Sequence, residues 1–480
     1  MSTKRKTRKE EPLGISFALI ESKLDLRKPN VHWEKRRAQG KSLRRKQPRE
    51  LHAKWLPAKN RPSPLELIDA SNRGRQQQFV PLRMGRMAAT PFTFFRGAAC
   101  VMAYDLYRSP VSGINVVLDG DAHLNNFGLY GTPQRDVVFD LNDFDETTIG
   151  PWEWDLKRLV ASINLAGREN GLNRRERANS VMRSVSGYRT NLERLQSMGL
   201  LDVWYLHAYP GRRNPLEKMD RKTEAILNKS VERAMQHTNT RLLNKTAERG
   251  AEGRWSLRQD PPILTPVDNK TREKIIDSLS DYAKTLPPER RYMLRRYHVA
   301  DVGHRVVGVG SVGTRAYLVL LFGNGDDDPL FLQVKEAIMP AHAVYLPPLP
   351  PEYSHQGKRV VYGERVLQAS TDVMLGWTQI DGRPFYVRQM KNLKGSVPVE
   401  VLSGTPFDFY AWGCGAVLAR AHTRASDAAL IAGYCGRSDA LDTALAEWAE
   451  AYADQTEADH EVLRKAIKSG KVQAMKESES

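Results

Sequence analysis

Cysteine is almost absent. Cys100, Cys414 and Cys435 are the three in 480 residues, and no two form a C-x-x-C pair. So few and so scattered, they exclude a disulfide framework and argue against structural zinc. They fit a reducing compartment, so a cytoplasmic protein is expected. Long apolar runs are missing too. No stretch reaches the roughly 18 apolar residues of a membrane span, and the best local run, "AACVMAYDLY", is short and flanked by charge. The basic N-terminus is not followed by the apolar core of a secretion signal. Acid is short against base: 73 Lys/Arg face 56 Asp/Glu, a net charge of +17. Residues 1–60 hold 18 Lys/Arg and 6 Asp/Glu, so +12 of that surplus sits there. This reads as a basic N-terminal arm over 1–60, partly disordered, with "MSTKRKTRKEEP" as its loosest part. An arm of this kind would take nucleic acid or another acidic partner, or act only as a solvated tail. The chain shows no internal repeat and no recognised nucleic-acid module.

What is present divides the chain. A helical, catalytic-loop lobe is expected over 61–295, a glycine-rich β lobe over 296–400, and further helices over 401–470. "INVVLDGD" and "DVVFDLNDFD" read as strands of one hairpin with polar loops at the same end. From about residue 153 to 250 the apolar spacing is helical. Residues 250–295, with "DPPILTPVDN" and "TLPPERR", read as a connection between lobes. "DVGHRVVGVGSVGTRAYLVLLFGNGDDDPLFLQVKEA" reads as strand, glycine loop, strand, turn, strand. "KRVVYGERVLQAST" predicts a helix, and "GWTQIDGRPFYVRQM" a hairpin turning at Asp-Gly. The fold class is therefore α+β.

The chemistry concentrates in "DGDAHLNNFG", Asp119 to Gly128, and in "NDFDETTIGPWEWDLKRL". Phosphoryl transfer needs one carboxylate to accept or orient the proton of an attacking hydroxyl. A second carboxylate and an amide oxygen hold magnesium. Asp121 and Asn126 stand five residues apart, the spacing of base and amide in a kinase catalytic loop. Asp140, Asp143 and Asp145 make up the second acidic cluster. A polar turn with capping aspartates would account for either cluster alone. His123 could ligate a metal, but a histidine here is more often a structural hydrogen-bonder. Asp140 could be a spare ligand or a strand-end cap.

These residues resemble the catalytic loop of aminoglycoside phosphotransferases and choline kinases, roughly H-G-D-x-H-x-x-N, with Asp119 where a histidine is common. They are closer to kinases of toxin–antitoxin pairs, roughly G-D-x-H-x-x-N-F. The resemblance implies Asp121 as base, Asn126 and Asp143 (rather than Asp140) as magnesium ligands with Asp145 as a candidate second acid, and Asp155 as an orienting group behind the loop. In such kinases a glycine loop and a strand lysine precede this motif. Here they follow it: Gly308, Gly310 and Gly313, with Ser311 between them, then Lys335. The β-rich "TRAYLVLLF" after the glycines argues against a dinucleotide fold. A lysine in an apolar strand needs a partner. Glu364 is the expected one, ahead of Glu336 and Glu352; an edge-strand lysine reaching water is the alternative. "YAWGCGAVLARAHTRA" resembles the helix preceding the catalytic loop, with His422 at its end. The order implies a circularly permuted, two-lobed, protein-kinase-like fold binding ATP and magnesium. It requires Lys335 to face Asp143 at about 10 Å, and the glycine loop to lie clear of helices. The chain from about 60 to 465 also resembles an uncharacterised bacterial family, domain of unknown function 2252, through "TPFTFFRGAA", "GDAHLNNFG", "FDLNDFDET", "GPWEWDLKRL", "GVGSVGTR" and "LQVKEA". Arg96, in the first of these, faces phosphate or pairs with an acid.

Three functions are therefore open. The first is a phosphotransferase acting on an unidentified hydroxyl acceptor, with AMP transfer as a variant that uses the same acids. The second is a nucleotide-binding regulator without turnover. The third is a nucleic-acid binder driven by the basic arm.

Overall fold

Short helices open the fold in a computed structural model that describes residues 26–27, 29–210, 219–250, 253–306, 308–390 and 392–475, apart from the side chain of Glu352. They are α1 (Trp33–Leu43), α2 (Pro64–Asn72), α3 (Val80–Ala88), α4 (Pro91–Gly97) and α5 (Ala99–Tyr107). Ser63 caps α2 while Glu66 reaches back to the Ser63 amide. Thr90 caps α4 in a similar way, and proline opens both helices. Where it is described, the basic segment is not a free arm. Arg36 pairs with Asp427 at 2.7 Å, and Arg49 donates to the Cys435 carbonyl at 2.8 Å. Its arginines are partly used in docking on C-terminal helices. The expected disorder of "MSTKRKTRKEEP" lies outside the described residues.

Four short strands follow: β1 (Asn115–Leu118), β2 (Phe127–Gly131), β3 (Val137–Leu141) and β4 (Thr148–Pro151). The expected hairpin of β1 with β3 does not form. β2 closes on β3 through a tight turn with Arg135 at φ 69°, and β1 pairs with β4. A short local loop costs less entropy to close than a long one, so β2 takes β3 first. The registers set Leu118 opposite Thr148 and Phe127 opposite Leu141. Loops 119–126 and 142–147 are thus held between the same two ribbons, side by side. The polar loops do share one end, by a different pairing.

Helices α6 (Trp152–Glu169), α7 (Arg174–Leu195), α8 (Leu200–Tyr205), α9 (Arg221–Met235) and α10 (Asn239–Thr246) come next. Sixteen of the eighteen residues of α6 are buried; Glu153, Asp155 and Arg158 take hydrogen-bond partners inside the protein, while the Lys157 ammonium lies 5.0 Å from the centre of the Trp448 ring.

Residues 250–295 are more than a connection. They hold β6 (Trp255–Leu257), paired with β5 (Ala247–Arg249), then β7 (Leu264–Pro266), α11 (Asn269–Thr285) and α12 (Pro288–Leu294). β7 joins the main sheet, and α11 buries Ile275 and Tyr282 against it. That sheet contains β8 (His298–Arg305), β9 (Ala316–Phe322) and β10 (Pro329–Glu336). After α13 (Gln356–Leu367) it adds the hairpin of β11 (Gly376–Ile380) and β12 (Arg383–Gln389). Asp381 and Gly382 both have positive φ, 48° and 74°, as a two-residue turn of this hand needs. The order is β11-β12-β10-β9-β8-β7, antiparallel throughout. One face packs Val319, Leu321, Leu332 and Val334 under α11. The other packs Leu318, Leu320 and Phe331 under α10. Both faces are covered, which is why β9 is apolar along its whole length.

The helices α14 (Thr405–Ala425), α15 (Ala428–Cys435) and α16 (Ala440–Lys468) complete the chain. They form the main core with α6 and α7, around Trp152, Tyr188, Leu418 and Trp448. Arg61 ties this core to the N-terminal helices, meeting Asp105 at 2.8 Å and Asp459 at 2.6 Å. The chain is a mixed helix and strand protein. Its cysteines are free. Among the described residues no helix is long and apolar enough to cross a membrane.

Candidate functional site

The opening acidic loop is anchored from behind. Asp155, in the first turn of α6, accepts the amides of Asp119 at 2.7 Å and Gly120 at 2.9 Å. His422 of α14 reaches the same carboxylate at 3.2 Å, and its other ring nitrogen meets the Tyr188 hydroxyl at 2.9 Å. Tyr410 of the same helix donates to the Leu124 and Phe127 carbonyls, at 3.1 and 3.0 Å. So α14 packs beside the loop, and Asp155 and His422 hold its start. Asp140 is a strand anchor rather than a ligand. It pairs with Arg420 and accepts the amides of Leu141 and Ala369.

The front of the loop is less satisfied. Arg158 holds Asp121 with contacts of 2.8 and 2.7 Å to Oδ1, while Oδ2 lies 3.7 Å from His123 Nε2. Burial pushes the Asp121 carboxyl up to about 7, against the pull of Arg158. Burial, with Asp155 and Asp121 alongside, holds Asp119 well above the ordinary range. His123 is held well below its ordinary range by burial and by Arg96 and Arg158. Its Nδ1 has no partner. The Asn126 amide nitrogen donates to Asp119 Oδ2, the Asp121 carbonyl and the Asp143 carbonyl, at 3.1, 3.2 and 2.9 Å. That leaves its oxygen as the free acceptor.

Lys335 arrives from the other half of the chain. Its strand, β10, is buried along its whole length, yet the ammonium reaches this loop. It pairs with Asp145 and lies 3.9 Å from Asp143 Oδ2. Burial raises Asp145, but Lys335 outweighs it and holds that carboxyl below its ordinary value. Ser311 of the glycine loop donates to Asp145 at 3.2 Å. Glu364 is not the lysine's partner. It is buried with an unpartnered Oε2, and burial pushes it up to about 7, with Arg388 opposing. The lysine takes Asp145 because loop 142–147 comes between β10 and α13; Arg359 of α13 donates to carbonyls on both sides, Asp145 and Ile338, at 2.8 Å each. Glu336 is committed to Arg315 and Arg383, at 3.0 and 3.1 Å.

The glycine loop also departs from expectation. It spans β8 to β9, with Gly308 and Gly313 at φ 64° and 86°. It is not clear of helices. Arg75 donates to the Val312 carbonyl at 2.8 Å, Arg86 of α3 donates to the Gly308 carbonyl, and Val309 packs against the cluster around Met84 and Phe94. The apolar Val309 and Val312 draw the loop onto α3 and α4. Below it lies a cleft of about 840 Å³, lined by Asp121, Asn126, Asp143 and Asp145 on one side and by Gly308, Gly310 and Ser311 on the other.

Sequence reasoning missed Arg158, although it stands three residues after Asp155 on the same helix, a spacing that puts both on one face. It also missed Arg388 and Lys394, which line the cleft; burial and Arg388 hold Lys394 down to about 7. No group of three or more His, Cys, Asp or Glu is placed to hold a metal ion among the described residues. Magnesium asks less of the protein, since one or two carboxylates plus phosphate oxygens and water suffice. Asp143 Oδ1 and Asp145 Oδ1 are buried atoms without partners. With the Asn126 oxygen they form an all-oxygen donor set that fits this ion.

Residues 75–466 match the family described as "Uncharacterized protein conserved in bacteria (DUF2252)". The chain belongs to that family. No curated protein matches it, and no solved structure does.

Proposed function

We propose that this family member is an ATP- and magnesium-dependent phosphotransferase acting on a hydroxyl acceptor, with kinase-like parts in rotated order but a glycine loop that, unlike the expected arrangement, packs on α3 and α4. One observation carries the reading. Lys335 meets Asp145 across 190 residues of chain and lies 3.9 Å from Asp143. The strand lysine thereby stands behind two acids that share one cleft with the glycine loop, the set of groups that triphosphate binding needs.

The acceptor oxygen attacks the γ-phosphorus, the bond from that phosphorus to the bridging β–γ oxygen breaks, and ADP leaves. The hydroxyl proton passes to Asp121. Arg158 occupies Oδ1, so Oδ2 takes the proton, and Arg158 fixes the carboxylate's orientation. Asp143, Asp145 and Asn126 would hold magnesium, which supplies neutralisation of the charge on the phosphate oxygens. Lys335 binds the α/β-phosphates. The glycine loop offers backbone amides to the same oxygens.

A second reading, a nucleotide-binding regulator without turnover, is favoured by the Arg158–Asp121 ion pair, which occupies part of the base. Turnover separates the two. Magnesium with ATP should raise the melting temperature more than either alone, and wild type should form ADP where Asp121→Asn does not. Stabilisation without ADP, tried over a panel of small hydroxyl compounds, supports the regulator. The absence of stabilisation sinks both.

A further inference from the structure

The cleft is rich in arginine, and most of that arginine is committed. Arg75 donates to the Ser71 and Val312 carbonyls at 3.0 and 2.8 Å. Arg83 serves Asn72 and the Gly97 carbonyl, and Arg388 serves Gln333 and the Asn142 carbonyl. Arg73 is exposed to solvent. Arg96 differs from all of these. It is half-buried and lines the cleft, its Nε is buried without a partner, and its guanidinium makes no hydrogen bond or ion pair among the described residues. Asp121 and Asp143 are within its electrostatic reach. A half-buried guanidinium beside two acids, paired with neither, leaves a cation in the cleft free to meet a bound anion.

Its position is built. Arg158, the residue that holds Asp121, also donates to the Phe95 carbonyl at 2.9 Å and lies 3.8 Å over the Phe95 ring. That fixes α4 against the loop, one residue from Arg96. On the other side, a Cβ at Gly310 would stand 3.3 Å from the Arg96 carbonyl, so the glycine loop passes directly over this residue. The backbone of Arg96 thus stands between Arg158, which holds Asp121, and the glycine loop, and its side chain lines the cleft that Asp121 and the loop share. A hydroxyl giving its proton to Asp121 attacks the γ-phosphorus, so the terminal phosphate must come to this same point.

Resting on the phosphotransferase reading, we infer that Arg96 is the residue that binds the terminal phosphate of the nucleoside triphosphate, and so distinguishes triphosphate from diphosphate. It is supplied by the N-terminal helices rather than by either half of the rotated kinase core. The docking of those helices on the glycine loop is what brings it there.

The test is the affinity of the full chain for magnesium–ATP and magnesium–ADP, by calorimetry, for wild type, Arg96→Met and Arg96→Lys. Wild type should prefer the triphosphate. Arg96→Met should lose about tenfold in ATP affinity while its ADP affinity stays within about twofold, and Arg96→Lys should recover part of the loss. Equal weakening towards both nucleotides, or towards neither, overturns the inference while leaving the phosphotransferase reading standing. Wild type binding neither nucleotide overturns the reading itself, and this inference with it. If Arg96→Met melts several degrees lower, the ATP-to-ADP ratio of Arg96→Lys decides, an unchanged ratio counting against.

Discussion

Asp155 and Asp143 belong to one motif, yet their surroundings are opposite. Both Asp155 oxygens accept bonds, from Asp119, Gly120 and His422, and the side chain is 1 % exposed. The Asp143 side chain is 43 % exposed, and its Oδ1 has no partner. The same contrast separates Asp140, bound by Arg420 and two amides, from Asp145, whose Oδ1 is unpartnered although Lys335 and Ser311 hold Oδ2. Carboxylates behind the loop are consumed in building it, and those in front are left available. A buried or half-buried acid with spare oxygens is tolerated when a site needs it.

The comparison can be broken at several points. The largest effect should be on chemistry. Asp121→Asn should lower the transfer rate by roughly 10²–10⁴-fold, with magnesium–ATP affinity changed by no more than about twofold. A variant as active as wild type would remove Asp121 from the role of base. Next in size is the rear anchor. Asp155→Ala leaves two buried amides and His422 without an acceptor, and should cost about 3–5 kcal/mol in denaturant unfolding. Asp143→Asn should cost less than about 1 kcal/mol, yet abolish the effect of magnesium on nucleotide binding. If the two substitutions prove equally destabilising, front and rear are not distinct.

Smaller effects follow from pH. With Asp121 at about 7, the transfer rate should fall about tenfold per pH unit below that value and level off above it. Stability runs the other way. Burial raises Glu364 to about 7, so the folded state binds its proton more tightly than the unfolded chain does. That contribution is complete below about pH 4.3 and is lost as pH rises through about 7. Glu364→Gln should therefore flatten the decline of melting temperature across this window. A curve parallel to wild type would show that Glu364 keeps an ordinary pKa.

How much of this was legible depended on how local each signal was. The spacing of Asp121, Asn126 and Asp143 is short-range, and the three do come together. The Asp381-Gly382 turn announces its hairpin because only certain residues accept positive φ at both positions. α11 was hidden by the prolines on either side of it, although Ile275 and Tyr282 stand seven residues apart, two turns on one helix face. The pairing of β1 with β4 was not legible, since nothing within either strand names a partner about thirty residues away. Lys335 announced a need for a carboxylate but not which one. Asp145 takes it over Glu364 because of where loop 142–147 packs, which is a tertiary fact. The Arg96 motif was visible, but its freedom from any acid was not.

The central claim is that Lys335 and Asp143, from opposite halves of the chain, serve one nucleotide. Calorimetric titration of ATP into the full chain, with and without magnesium, tests it most directly when repeated for Lys335→Met and Asp143→Asn. The account predicts magnesium-dependent binding in wild type that either substitution abolishes. Absence of binding in wild type with magnesium present, or binding that both variants retain, would contradict it.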